Sequence, residues 1–418
     1  MQRIRMSLSS FQDLGWEAEI VTVNQISSDI VKDDLLSQSI PENTIIHHVN
    51  AFDKKWTSKL GLGSIALRSL WFYRKEVNRL INQKKYDIIY FSTTQFPVCV
   101  LGAYWKKRFG IPYVIDMQDP WHSEYYQDKP KAQRPAKYWF SYRLNKLLEP
   151  IAMKEVGGLI SVSQAYIDDL KKRYPSINEV PEALITFGAF EKDKEIAEKN
   201  ISVLNSSIVP VDGKINIVYV GRGGYDMHHS VKVLFLALQK GISSKPSLFK
   251  RFHLYFIGTS YAAKGKGIKS IQPLAEEIGV NEYVSELTDR IGFYESLSTL
   301  QKADILFIPG SDDPKYSASK IYPYIMSQKP ILAIFHEKSS AEKILRACSP
   351  DATLFTFPHN DEHLVLGIHD QLHKWAKGDL RPLVINKEAF KNFSAAVMAE
   401  KQTRLFDKVI LTPVNSSN

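Results

Sequence analysis

The sequence predicts an α/β protein built from two doubly wound domains whose parallel sheets face a cleft. Three observations predict it. Short apolar runs of strand length alternate with helical patterns along the chain, as βα units require. The alternation pauses once, in the polar stretch 191–213, rich in Lys, Glu, Asn and Ser, and then restarts. The chain of 418 residues is long enough for two domains, each burying its own core.

In the first half, strands are expected near 19–23, 44–49, 87–92, 113–117, 159–162 and 183–186. Helical patterns lie between them at about 69–83, 95–109, 136–155 and 164–173. After the pause, strands are expected near 215–220, 253–257, 284–287, 305–308 and 331–335. Helices are expected at 230–240, 270–278, 294–302, 319–327 and 338–347. An amphipathic helix at about 387–409 closes the chain and is expected to cross back over the first domain. The domains are therefore placed at 1–190 and 214–386, with 191–213 as linker and 387–418 as the returning helix and tail.

A doubly wound domain usually opens on a central strand followed by a glycine-containing turn. This chain opens on a helical pattern, Arg3 to Leu14, then Gly15 and the strand at 19–23. The first strand and its loop are expected to be missing, through truncation or a late start. The alternative is a trimmed or permuted sheet.

Composition narrows the function classes. With 44% hydrophobic and 24% charged residues the chain is ordinary globular material. Cys99 and Cys348 give no disulfide framework or zinc spacing and suit a reducing cytosol. No signal peptide is visible, and no run is apolar and long enough to span a bilayer. The location expected is cytoplasmic, peripheral to the inner membrane face if membrane-bound at all. A net charge of +9 suits RNA, an anionic membrane or a phosphorylated substrate. Nothing accompanies the charge that looks like a nucleic-acid-binding module.

Two segments carry the chemistry. The run Ile217-Val-Tyr-Val-Gly221-Arg222-Gly223-Gly224 is a strand entering a glycine-rich turn. Glycines there allow backbone N–H groups close to a phosphate, and Arg222 adds a permanent charge. It is not the dinucleotide fingerprint G-x-G-x-x-G. The second segment, Gly310 to Pro330, follows the apolar run at 305–308. Ser317 or Ser319 is expected to cap a helix, which puts Lys320 in its first turn, where a lysine is unfavourable unless an anion sits there. Pro323 marks a helix start nearby. The plain alternative is a capped surface helix with a solvated lysine.

Here the chain resembles glycosyltransferase family 4. The resemblance rests on Ala303-Asp304 before a strand, Ser319-Lys320-Ile-Tyr322-x-Tyr324 and Lys329-Pro330-Ile-Leu-Ala. Gly15-Trp16-Glu17, Asp116-Met-Gln-Asp119-Pro-Trp121, Ser161-Val-Ser163 and Phe187-Gly188 extend it over nearly the whole chain. It implies the GT-B fold, two Rossmann-like domains about a cleft, and a retaining, metal-independent transfer from a nucleoside-diphosphate sugar, with no cofactor. Two departures stand out. The family's paired glutamates fall on Lys315 and Pro323, and the lysine of the second domain's first loop falls on Met227.

For an active member, Arg222, Lys320 and the helix start at Ser319 would stabilise charge on the departing diphosphate. Gly221, Gly223, Gly224, Arg290 and Tyr322 complete the expected donor contacts. Asp119, at the carboxyl end of the strand at 113–117, would orient or deprotonate the acceptor hydroxyl; an Asp-Pro turn is the alternative. Asp116 is expected to hold backbone at that strand's end. Arg290 has a surface salt bridge as its plain reading. Asp312-Asp313 is expected to be turn chemistry, and His228-His229 polar surface rather than metal ligands. The aromatic and basic span from Trp121 to Lys146 reads either as a surface for an anionic membrane or as a core stripe with a solvated face.

The function expected is sugar transfer to a glycan or lipid-linked acceptor in bacterial polysaccharide assembly. A GT-B sugar-nucleotide epimerase and a non-catalytic family member that binds a sugar nucleotide or a partner are the alternatives.

Overall fold

The computed structural model describes residues 2–28, 33–122, 124, 127–128, 130–131, 134, 138–314, 320–358 and 360–411. The chain divides into two compact units: Met1–Ile30, Ile40–Phe187 and Ala395–Asn418 form one, Val31–Ser39 and Gly188–Ser394 the other. The stretch 191–213 opens with a helix, Glu191–Lys199, and belongs with the second unit.

Six strands build the first unit: β1 (Glu19–Val23), β2 (Ile45–Val49), β3 (Ile89–Phe91), β4 (Tyr113–Met117), β5 (Gly158–Ser161) and β6 (Glu182–Leu184). They form two parallel sheets, β1-β2 and β3-β4-β5-β6, with no hydrogen-bond ladder between them. Every residue of β4 is buried, as a parallel strand covered on both faces must be. Phe91, Trp105, Tyr113 and Leu159 pack around it. The chain opens on the helix Gln2–Phe11, which packs against the returning helix Ala395–Leu411.

The predicted helix at 387–409 is two pieces, Lys387–Lys391 and Ala395–Leu411, the first in the second unit. Phe393 O between them accepts the Ala189 amide at 2.6 Å, which spends backbone that a continuous helix would need. Val409 of the second piece sits against β5. A Cβ on Gly158 would meet Val409 Cγ2 at 2.7 Å, so only glycine fits there.

A buried polar network ties the chain's opening to β4. Arg3, fully buried, donates from Nε to Asp116 Oδ2 at 2.7 Å and from its two terminal nitrogens to the carbonyls of Thr186 and Ile185. Tyr90 and Gln118 also donate to Asp116 Oδ2. The carboxylate therefore holds side chains rather than backbone, and corrects that expectation.

The second unit is one parallel sheet: β7 (Ile215–Val220), β8 (Phe252–Ile257), β9 (Val284–Leu287), β10 (Ile305–Pro309), β11 (Ile331–His336) and β12 (Thr353–Phe357). Their order is β12-β11-β10-β7-β8-β9. The order reverses between β10 and β7, the switch point at which doubly wound sheets open a crevice. β7 and β10 pair only at Ile217 and Val218. Beyond them Tyr324 takes over: its hydroxyl accepts the Val220 amide at 2.8 Å and donates to Val220 O at 3.3 Å. The edge strand β12 and the helix Asp361–Ala376 were not expected from the sequence.

Candidate functional site

The loops leaving β7, β8, β9 and β10 meet at their carboxyl ends. After β7, Gly221 and Gly223 spend their amides on Ile257 O and Thr259 O, at 2.8 and 2.9 Å. Their lack of side chains serves packing: a Cβ on Gly221 would strike the Tyr219 ring and one on Gly223 would crowd Thr259. These two amides are thus committed within the protein, which corrects the idea that they face a phosphate. The Gly224 amide has no partner among the described residues.

Arg222 forms a bidentate pair with Asp226, both bonds 2.6 Å. Burial alone would raise the Asp226 carboxyl; bonds and charge from Arg222, with a bond from Ser311, outweigh it and hold it below the usual range. Ser311, just past β10, reaches Asp226 at 2.5 Å, and the Asp312 amide donates to Asp226 O. Asp226 so fastens the β7 and β10 loops across the switch point. Sequence reasoning missed it; its four-residue spacing from Arg222 was the available signal. Asp312 and Asp313 take part in this turn bonding, the Asp313 amide meeting Ser311 Oγ at 3.1 Å.

The helix His228–Ser244 begins beside this knot, docked by Ser230 Oγ on Gly310 O and Ile334 O. Burial lowers the His228 pKa, so the imidazole is neutral near pH 7. His229 lies 3.3 Å from Asp361. Among the described residues no group of three or more His, Cys, Asp or Glu is arranged for a metal ion.

On the β9 side, Glu286 accepts from Thr259 Oγ1 at 2.6 Å and from the amides of Ser270, Ile271 and Gln272. The carboxylate therefore fills the start of the short helix Gln272–Ile278, and Ser270 Oγ passes the contact on to Gly223 O. Arg290, exposed, lies 4.6 Å over the Tyr261 ring and has no carboxylate partner among the described residues, against the expected salt bridge.

Lys320 stands one residue before the helix Ile321–Met326, at its cap rather than inside its first turn; the expectation is corrected by one position. Its pKa is lowered to about 8, first by the surrounding protein and then by the like charges of Arg290 and Arg222. The residue still keeps a water-facing surface, so the direction and the neighbours matter more than the size. Three cations thus converge at the strand ends, with only Arg222 neutralised by a near carboxylate.

Tyr322, expected against the donor, is buried between Phe390 and Phe393, with centroids 6.5 and 5.5 Å away, and acts as core. Ser319 and Lys315 lie outside the described residues. In the first unit, Asp119 is exposed two residues past β4. Trp121 and Tyr138 are buried, whereas Trp139 and Phe140 are half exposed, so the aromatic span divides between core and surface. Tyr125, Tyr126, Lys129 and Lys137 of that span lie outside the described residues. Both cysteines are free and buried, and burial raises both thiols, Cys348 to about 11.

Two parallel-sheet units with charge gathered at a switch point define the GT-B class of glycosyltransferase folds. WaaG, a glycosyltransferase involved in lipopolysaccharide biosynthesis, is similar over 98% of this chain and 95% of its own, with 16% identity and a TM-score of 0.54. A UDP-forming trehalose-phosphate synthase from Burkholderia xenovorans covers 94% and 99%, at 11% identity and a TM-score of 0.57. A glycosyltransferase from Rickettsia africae covers 99% and 95%, at 14% identity and a TM-score of 0.54. Residues 39–183 match the model of Glycosyltransferase Family 4, almost all within the first unit, and the resemblance read from the motifs stands on that match. No curated protein matches in sequence. Family model and fold together support glycosyl transfer. No helix among the described residues is long and apolar enough to cross a membrane.

Proposed function

We propose that this chain transfers a sugar from a nucleoside-diphosphate sugar to a glycan or lipid-linked acceptor, with retention and without a metal. The observation that carries the reading is the convergence of Arg222, Arg290 and Lys320 at the carboxyl ends of the second unit's strands. Like charges gathered without matching carboxylates cost free energy unless an anion joins them. A diphosphate suits them, because charge develops on its oxygens as the glycosidic bond breaks. Lys320 and Arg290 supply mobile and stacked cations, and Arg222 a fixed one held by Asp226. Asp119 is assigned to the acceptor side, where it orients or deprotonates the hydroxyl. The setting we assign is bacterial polysaccharide assembly in the cytoplasm, at the inner membrane face.

A panel of UDP-, GDP-, ADP- and CDP-sugars, assayed for nucleotide release with and without glycan or lipid acceptors, tests this. Acceptor-dependent release with one base supports transfer. Nucleotide binding without turnover supports a second reading, a non-catalytic binder. That reading is favoured by Pro323 and Lys315 standing where the family has glutamates.

A further inference from the structure

The first unit carries an aromatic surface that its core does not use. Phe52, Trp56, Leu62 and Trp71 are all exposed, Trp56 by 72%. On the helix Tyr138–Met153, Phe140, Leu147 and Ile151 form an exposed stripe, spaced seven and four residues apart on one face. The two patches adjoin. A Cβ on Gly61 would lie 3.1 Å from the Phe140 ring, and Phe52 packs beside Trp71 with centroids 6.3 Å apart.

The charge around this surface has one sign. Lys54, Lys55 and Lys59 are exposed in the segment with Trp56, against the single carboxylate of Asp53. Lys59 stands 5.3 Å over the Trp56 ring and Lys75 stands 5.4 Å over Trp71. Arg143 and Lys146 are the exposed charges of the helix; its one carboxylate, Glu149, is turned into the core.

We propose that this face docks on an anionic phospholipid bilayer, with Trp56 and Phe140 entering the headgroup boundary and the lysines on lipid phosphates. Contiguous exposed aromatic surface marks an interaction site, and tryptophan beside lysine suits the bilayer interface. A protein partner fits less well, because lysine is depleted where proteins meet. The proposal extends the membrane-side part of the function above and is tested apart from donor binding.

The test is cosedimentation of the full chain with phosphatidylglycerol-containing vesicles and with pure phosphatidylcholine vesicles. Binding to the anionic vesicles alone, weakened by salt, is the expected result. Lys54→Glu/Lys55→Glu/Lys59→Glu should cut partitioning by about a hundredfold, from about fivefold per basic residue. Trp56→Ser/Phe140→Ser should also release the protein. Cooperative melting at the wild-type temperature shows that each variant folds. Wild type left in the supernatant with anionic vesicles overturns the proposal, as do variants that bind like wild type. Lipid-free dimerisation abolished by Trp56→Ser also overturns it, by making the occupant a second copy. Nucleotide stabilisation, measured in parallel, reads the donor site independently: its absence with intact vesicle binding would sink the donor reading alone.

Discussion

The pH dependence of nucleotide binding follows from Lys320. Its ammonium, pulled to about 8 from an ordinary 10.5, is charged near pH 7 and mostly neutral one to two units higher. A diphosphate prefers the cation, so above about pH 8 binding must also take up a proton. Affinity should then fall about tenfold per pH unit until the pKa of the bound state is reached. Between about pH 7 and 9 the dissociation constant should rise roughly tenfold. At a ligand concentration a hundredfold above the neutral-pH value, stabilisation should drop from about 2.7 to about 1.4 kcal/mol. Titration calorimetry and melting at both pH values measure this. Lys320→Arg keeps its charge and should bind with a flat profile; Lys320→Ala should bind weakly and also flatly. The unliganded protein should move the other way. A lowered folded pKa means that the charged form is disfavoured, so stability gains as pH rises from about 8 towards 10.5. Wild-type affinity that stays constant, or a slope that survives in Lys320→Arg, would refute the reasoning.

Other consequences concern the scaffold. Gly158→Ala should lower stability by about 1–3 kcal/mol through the clash with Val409, and Val409→Ala should recover part of it, read as a double-mutant cycle in denaturant. Arg3→Met strands the Asp116 carboxylate in the core and should cost about 3–5 kcal/mol, more than Asp116 and Arg3 replaced together. Glu19 feels burial that would raise its pKa, but bonds from Lys84, Tyr86 and His47 hold it at about 2. Its contribution, roughly 2–3 kcal/mol, is present above pH 4.5 and disappears as pH falls towards 2. Glu19→Gln should therefore melt lower than wild type at neutral pH and converge with it in acid.

The strands were legible because buried parallel strands are short, continuous apolar runs: β4 and β7 stand where those runs place them. The edge strand β12 was hidden because its residues are mostly half buried and alternate with threonine, so no continuous run marks it. The helix Asp361–Ala376 was readable in hindsight, with an Asn360 cap, two acids in its first turn and Leu364, Ile368 and Leu372 at helical spacing. At the candidate site the chain revealed Arg222, Arg290 and Lys320 as cations at strand ends. It concealed the three-dimensional pairings: Asp226 neutralises Arg222, and Tyr322 turns into the core while Tyr324 spans the β7 backbone. Sequence spacing shows which residues leave a strand end; only packing decides which of them still face outward.

The most direct test of the central claim is the melting temperature of the purified protein with UDP, GDP, ADP and CDP, alongside Lys320→Ala. One nucleotide should stabilise the wild type by about 2.7 kcal/mol at a hundredfold excess over its dissociation constant, and the variant should lose that shift. A folded wild type indifferent to all four, or a shift that Lys320→Ala retains in full, would contradict the assignment of the strand-end cations to a sugar-nucleotide diphosphate.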